Sequence, residues 1–180
     1  MSSVVISGDT SGAITLAAPA VAGTNTITLP ASTGTAMVNG PAFSAYANAN
    51  QTITSSTFTK IQINTEEFDT ANAFDSTTNY RFTPQVAGYY QINGSVNNYS
   101  STLPTRVFAV IYKNGAVYKR FNDNSVNTGT LFSNSEGSAL VYLNGSTDYV
   151  ELYGFITATT AVVSTDSSYV YFQATMVRGA

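Results

Sequence analysis

The chain has 180 residues, a formal charge of -3 and only 9% Asp, Glu, Lys and Arg, which is one domain's worth of sequence with a near-neutral surface. It contains no Cys, His or Trp, which removes disulfides, the usual zinc and transition-metal ligands, the commonest general base and every Ser-His or Cys-His nucleophile. No positive field exists to gather phosphates, so nucleic acid is excluded as a partner, and neither a cofactor nor an enzymatic activity is expected.

Residues 1–38 differ in texture from the rest and read as an arm. Ala13-Ile14-Thr15-Leu16-Ala17-Ala18 is echoed by Thr26-Ile27-Thr28-Leu29-Pro30-Ala31, and each copy alternates apolar with small residues as a short strand does. Two such strands bury too little to be stable alone in water. Ile14, Leu16, Ile27 and Leu29 are therefore predicted to anchor the arm by packing on something else. No residue from Thr10 to Thr59 is charged, yet Thr, Ser, Asn, Gly and Pro break every apolar run well short of the ~20 residues of a membrane span. Membrane insertion is not expected. The first cation is Lys60, so the charged start of a secretory signal is missing and export by that route is not expected.

Asn39-Gly40-Pro41 reads as a linker, leaving residues 42–180 as a head of strands broken by turns. Glu66, Glu67 and Asp69 are acids on neighbouring positions, and a carboxylate pair could serve a glycosidase. Adjacent strand residues, however, point to opposite faces or into water, so a solvated loop is the expectation. From Asn79 to Val96 two strands flank a Pro84 to Gly88 corner. Tyr90, Ile92 and Val96 share one face, and Gln91, Asn93, Ser95 and Asn97 take the other. Asn93-Gly94 inside this strand predicts a bulge or a close approach, whereas Asn114-Gly115 and Asn144-Gly145 predict tight hairpins. Lys113, Lys119 and Arg120 are too few to hold a polyanion and read as edge protection. Asn122-Asp123-Asn124 reads as a loop. Asp148 and Asp166 could contribute to a calcium site but fit turns better, and no metal is expected. Near the end, Val150, Leu152 and Ile156 oppose Tyr149, Glu151, Tyr153 and Phe155, and Val170, Phe172, Ala174 and Met176 oppose Tyr169, Tyr171, Gln173 and Thr175. Outward aromatics of this kind mark an interface.

The string Tyr80-Arg81-Phe82-Thr83-Pro84-Gln85-Val86-Ala87-Gly88-Tyr89-Tyr90 resembles the signature of the globular head of complement component 1q and its tumour-necrosis-factor-like relatives. The resemblance extends over Pro41 to Ala180. Ala42-Phe43-Ser44-Ala45 looks like the opening strand, and Val107 to Tyr112 followed by Lys113-Asn114-Gly115 like the family's apolar strand and turn. Leu140 to Leu152 is similar to its Leu-x-Leu-x-x-Gly-Asp-x-Val-x-Leu block, with Ser146 and Thr147 inserted, and Tyr169 to Val177 takes the place of the closing strand. The resemblance implies an all-β fold, a jelly-roll β-sandwich assembled as a homotrimer with a short β-rich N-terminal arm. Family heads line a threefold axis with aromatics, which makes Tyr89, Tyr90, Tyr153, Phe155 and Tyr171 candidates for the trimer interface or the core.

The arm, with Ser-Gly-Asp-Thr-Ser-Gly near its start and Thr-Leu-Pro-Ala-Ser-Thr-Gly-Thr later, looks like the segment that precedes terminal domains in tailed-bacteriophage virion proteins. That implies a structural protein assembled in the bacterial host cytoplasm and displayed on the virion surface. It would be a capsid decoration or short head fibre, tied to other virion proteins by its arm. One alternative is a tail-fibre tip or receptor-binding protein attaching to a host-surface glycan; another is a secreted complement-1q or tumour-necrosis-factor-like lectin or ligand. Residues 1–38 give little reach even when extended at ~3.3 Å per residue, which favours decoration over a long fibre.

Overall fold

The computed structural model describes residues 3–7, 10–17, 24, 39–125 and 133–180, and among these every regular element is a strand. The chain divides into two compact units, Met1–Thr35 and Ala36–Ala180. In the first, β1 (Ser3–Ser7) and β2 (Ala13–Ala17) pair antiparallel, with Val4 opposite Leu16 and Ile6 opposite Ile14. Residues two apart on a strand share a face, so these four make one apolar face. The partner of the predicted Ile14 and Leu16 strand is thus Ser3–Ser7, which the repeat did not single out. Ile27 and Leu29 lie outside the described residues.

The second unit holds β3 (Ala42–Tyr46), β4 (Gln51–Ile53), β5 (Thr59–Lys60), β6 (Thr65–Asp69), β7 (Phe74–Asp75), β8 (Arg81–Phe82), β9 (Ala87–Asn98), β10 (Arg106–Lys113), β11 (Ala116–Arg120), β12 (Asn124–Ser125), β13 (Ser133–Asn144), β14 (Val150–Thr157), β15 (Ala161–Val163) and β16 (Tyr171–Gly179). They form two sheets of seven strands. One runs β11-β10-β14-β8-β7, with β12 on β10 and β5 on β14; the other runs β4-β15-β9-β16-β3-β6, with β13 on β9. The chain passes back and forth between them, which is the winding of a jelly-roll sandwich.

The inward faces follow the predicted alternation. Tyr90, Ile92 and Val96 of β9, Leu152 and Ile156 of β14, and Phe172, Ala174 and Met176 of β16 are all buried in one core. At one end the Phe43 ring stacks on Phe74 at 4.4 Å and on Phe82 at 4.8 Å, while Phe82 meets Tyr90 edge-on at 5.6 Å. Phe82 belongs to one sheet and Phe43 and Tyr90 to the other, so these contacts join the layers, each worth about 0.5–1.5 kcal/mol beyond the area it buries. The layers are also joined by a hydrogen bond, in which the Ala109 amide donates to Ser135 Oγ at 2.8 Å.

The Pro84 to Gly88 corner carries the chain from β8 in one sheet to β9 in the other. It is pinned by the Tyr90 hydroxyl, which donates to the Val86 carbonyl at 2.7 Å. Burial pushes that hydroxyl's pKa up to about 12, because the phenolate would lose its hydration. Of the two readings of Asn93-Gly94, the close approach holds. β9 pairs with β13 in unbroken register, and a Cβ on Gly94 would stand 2.7 Å from Leu152 Cδ1 of the facing sheet.

Asn114-Gly115 makes the predicted hairpin between β10 and β11, with φ of 52° and 78°. Asn144-Gly145 does not. β13 and β14 belong to different sheets, and the Asn144 side chain instead organises a crossover. Its Oδ1 accepts from the amides of Ser146, Thr147 and Asp148 at 2.9 to 3.0 Å. The inserted Ser146 and Thr147 sit inside that capped loop. The closing strand starts at Tyr171 rather than Tyr169, whose amide is held in a turn by the Asp166 carbonyl at 3.0 Å.

Candidate binding surfaces

The outward face of the β14 sheet is aromatic, as its alternation predicts, but the head covers much of it with its own side chains. Phe155 stacks on Phe108 at 4.6 Å and Tyr153 on Tyr112 at 3.8 Å. Phe58, from the segment between β4 and β5, lies edge-on against Phe108 at 5.7 Å and within 5.3 Å of Phe155. Arg106 lies over Phe108 and Phe155, and Arg120 over Phe58 and Phe108, at 4.8 to 5.6 Å. These are cation–π distances. Phe108 is left only 1% exposed. Lys60 pairs with the buried Glu151 at 2.5 Å beside Tyr153, and burial, helped by Glu151, pushes the Tyr153 hydroxyl up to about 12.

The outward face of the β9 sheet is different. Tyr142 of β13 lies opposite Tyr89 of β9 with ring centroids 5.4 Å apart, and Leu140 lies opposite Gln91. Leu140 is 55% exposed, Tyr142 41% and Tyr89 40%. The same face carries Gln91, Asn93 and Gln173 in its middle, with Gln173 Nε2 donating to Ser44 Oγ at 2.9 Å. Tyr171 stands at the far end, opposite Ser95 and Tyr46.

The five aromatics predicted for the trimer interface or the core occupy three places. Tyr90 is wholly inside the core, Tyr153 and Phe155 lie on the β14 sheet, and Tyr89 and Tyr171 lie on the β9 sheet. Opposite outward faces of a sandwich cannot form one flat contact. Sequence reasoning missed Leu140 and Tyr142 as surface residues, although Ala139, Val141 and Leu143 beside them already marked a strand apolar on both faces.

The polar candidates are committed to local structure. Glu66 accepts from Ser76 Oγ at 2.6 Å, whereas Glu67 accepts from Ser44 Oγ at 2.5 Å and Asp69 from the Phe74 amide at 2.7 Å, so the three carboxylates diverge. Asp148 binds Lys113 at 3.0 Å and Asn114 Nδ2 at 2.8 Å, and hydrogen bonding from Asn114 holds its pKa below the usual carboxylate range. Asp166 closes its own turn by accepting from the Ser168 amide and hydroxyl. Asp123 pairs with Arg106, and Asn122 Nδ2 donates to Asn124 Oδ1 at 2.9 Å. Lys119 lies over Tyr118, so Lys113, Lys119 and Arg120 each have a different partner. Among the described residues, no three acids cluster as metal ligands, and no helix is long and apolar enough to cross a membrane.

No protein-family model matches the chain, and no curated protein matches it. Solved structures do. Murine APRIL at pH 8.5 superposes with a TM-score of 0.58 over 77% of this chain and 100% of its own, at 10% identity. The Eiger tumour-necrosis-factor protein of S. frugiperda gives 0.59 over 78% of this chain and 94% of its own, also at 10% identity. The fold is a tumour-necrosis-factor-like jelly roll. At this identity what is shared is the winding of the sandwich, and the outward residues of this jelly roll are its own.

Proposed function

We propose that the chain is a homotrimeric structural protein on the virion surface of a tailed bacteriophage, a capsid decoration or short head fibre without enzymatic activity. The observation that carries this reading is apolar surface left uncovered in both units. On the head, Tyr89, Leu140 and Tyr142 form a patch on the β9 sheet, and contiguous patches of that kind mark association surfaces. In the arm, Val4, Ile6, Ile14 and Leu16 are 55 to 69% exposed on one face of the hairpin, and a two-stranded hairpin is marginal by itself. The head patch forms the contact between three copies, with Tyr171 contributing from the far end of the same face. The arm docks on other virion proteins through its apolar face, and three arms per trimer multiply a weak contact through avidity. The phage setting rests on the texture of the arm sequence.

Sedimentation of the full chain and of residues 39–180 tests both halves of the proposal. Both forms are expected to be trimeric, and only the full chain is expected to join particles assembled in the host. A monomeric head at micromolar concentration removes the trimer, and incorporation of the armless form removes the anchor.

A further inference from the structure

Beside the corner, Glu66 of β6, Asn72, Asp75 of β7, Arg81 of β8, Thr83 and Gln85 line a groove of about 490 Å³, a size common among small-molecule sites. Its wall is built rigidly. The Asp75 carboxylate accepts from the amides of Thr77, Thr78 and Asn79, from Thr77 Oγ1 and from Asn79 Nδ2, at 2.7 to 3.2 Å. These bonds, the Thr78 amide foremost, hold its pKa well below the usual carboxylate range. The turn they close sets Tyr80 at a φ of 49°, a backbone region that a bulky side chain rarely adopts.

The next residue, Arg81, has its guanidinium over the Tyr149 ring at 4.6 Å and takes no part in the ion pairs of the described residues, which join Lys60 to Glu151, Arg106 to Asp123 and Lys113 to Asp148. The ring sets the direction of the cation without consuming its donors. Glu66 engages one oxygen with Ser76, and Gln85 uses its Nε2 on the Thr83 carbonyl at 3.1 Å, which leaves its Oε1 as an acceptor.

The groove thus combines a strong donor on Arg81 with acceptors on Glu66 and Gln85, and sets two carboxylates against one cation. An anion would meet net negative charge, and an apolar ligand would strand these groups without partners. A hydroxyl both donates and accepts, so neighbouring hydroxyls on one ring satisfy Arg81 and Glu66 together. We propose that this groove binds a neutral saccharide, with Arg81 and Gln85 as its principal contacts. All the lining residues belong to the unit Ala36–Ala180, so none of them is drawn from the arm.

Titration calorimetry and saturation-transfer NMR on the full chain test it, using neutral trisaccharides of glucose, galactose and mannose and trigalacturonate as the anionic control. A neutral trisaccharide is expected to bind more tightly than trigalacturonate. Arg81→Ala is expected to weaken that binding about tenfold, the worth of a charged hydrogen bond, with the thermal transition kept. Should Arg81→Ala fail to fold, Gln85→Ala decides, since Gln85 is exposed and its loss is expected to weaken binding severalfold. Silence from every neutral trisaccharide, preference for trigalacturonate, or binding unchanged in the deciding variant overturns the site.

Discussion

Both sheets of the head carry aromatic side chains on their outward faces, and the chain treats the two in opposite ways. Over the β14 sheet, Phe58 and the guanidinium groups of Arg106 and Arg120 lie across Phe108 and Phe155. On the β9 sheet, Tyr89, Leu140 and Tyr142 keep 40% or more of their surface. An outward ring is therefore not by itself an interface residue. What decides is how far another part of the same chain has already removed it from water, and of these two aromatic clusters the one around Leu140 keeps the more apolar area to give to a partner.

Two substitutions put that contrast at risk. Phe108→Ala removes a ring that is 1% exposed and stacked on Phe155, and it is expected to cost about 3–5 kcal/mol in denaturant unfolding, with the subunit count unchanged in sedimentation. Leu140→Asp places a charge in the centre of the bare patch. It is expected to convert the proposed trimer to monomers while changing the stability of the dissociated head by no more than about 0.5 kcal/mol. If Phe108→Ala dissociates the protein, or Leu140→Asp leaves it trimeric, the assignment of the two faces is reversed or empty.

The residues that face inward were legible because burial imposes period two on a strand, and Tyr90, Ile92, Val96, Leu152, Ile156 and Phe172 all obey it. The corner was legible because Pro84 fixes its own φ and offers no ladder hydrogen bond, while Gly88 tolerates angles and close approaches that other residues avoid. The outward faces were not, because Tyr153 and Tyr89 have the same local pattern. What separates them is a long-range event, the passage of Phe58 over one sheet, and nothing in the pattern of Tyr153 or Phe155 encodes it. Asn144-Gly145 was misread for a related reason. The dipeptide encodes a turn, but whether the turn joins neighbours in one sheet or crosses to the other depends on where β14 finds its partners, β10 and β8. The groove at Arg81 was invisible in sequence, since its lining is drawn from three strands and three connecting segments that only the fold brings together.

The smallest expected effect sharpens the contrast from the covered side, through pH. Tyr153 is held up to about 12, first by burial against Tyr112 and then by the neighbouring Glu151 charge, and a free tyrosine titrates near ~10. Because the folded pKa is the higher one, folding favours the protonated phenol. The associated stability is fully present below about pH 10 and is lost as pH rises towards about 12. Phenolate absorbance on raising the pH should show late-titrating groups, since Tyr90 is also pushed up to about 12 and burial raises Tyr112 and Tyr171 as well. Tyr153→Phe should remove one of them and flatten the alkaline fall in stability, because the ring still stacks while the ionisable hydroxyl is gone. A parent protein in which all phenols ionise together near ~10 would mean that the β14 face is open to water, and the distinction between the two faces would then have to be abandoned.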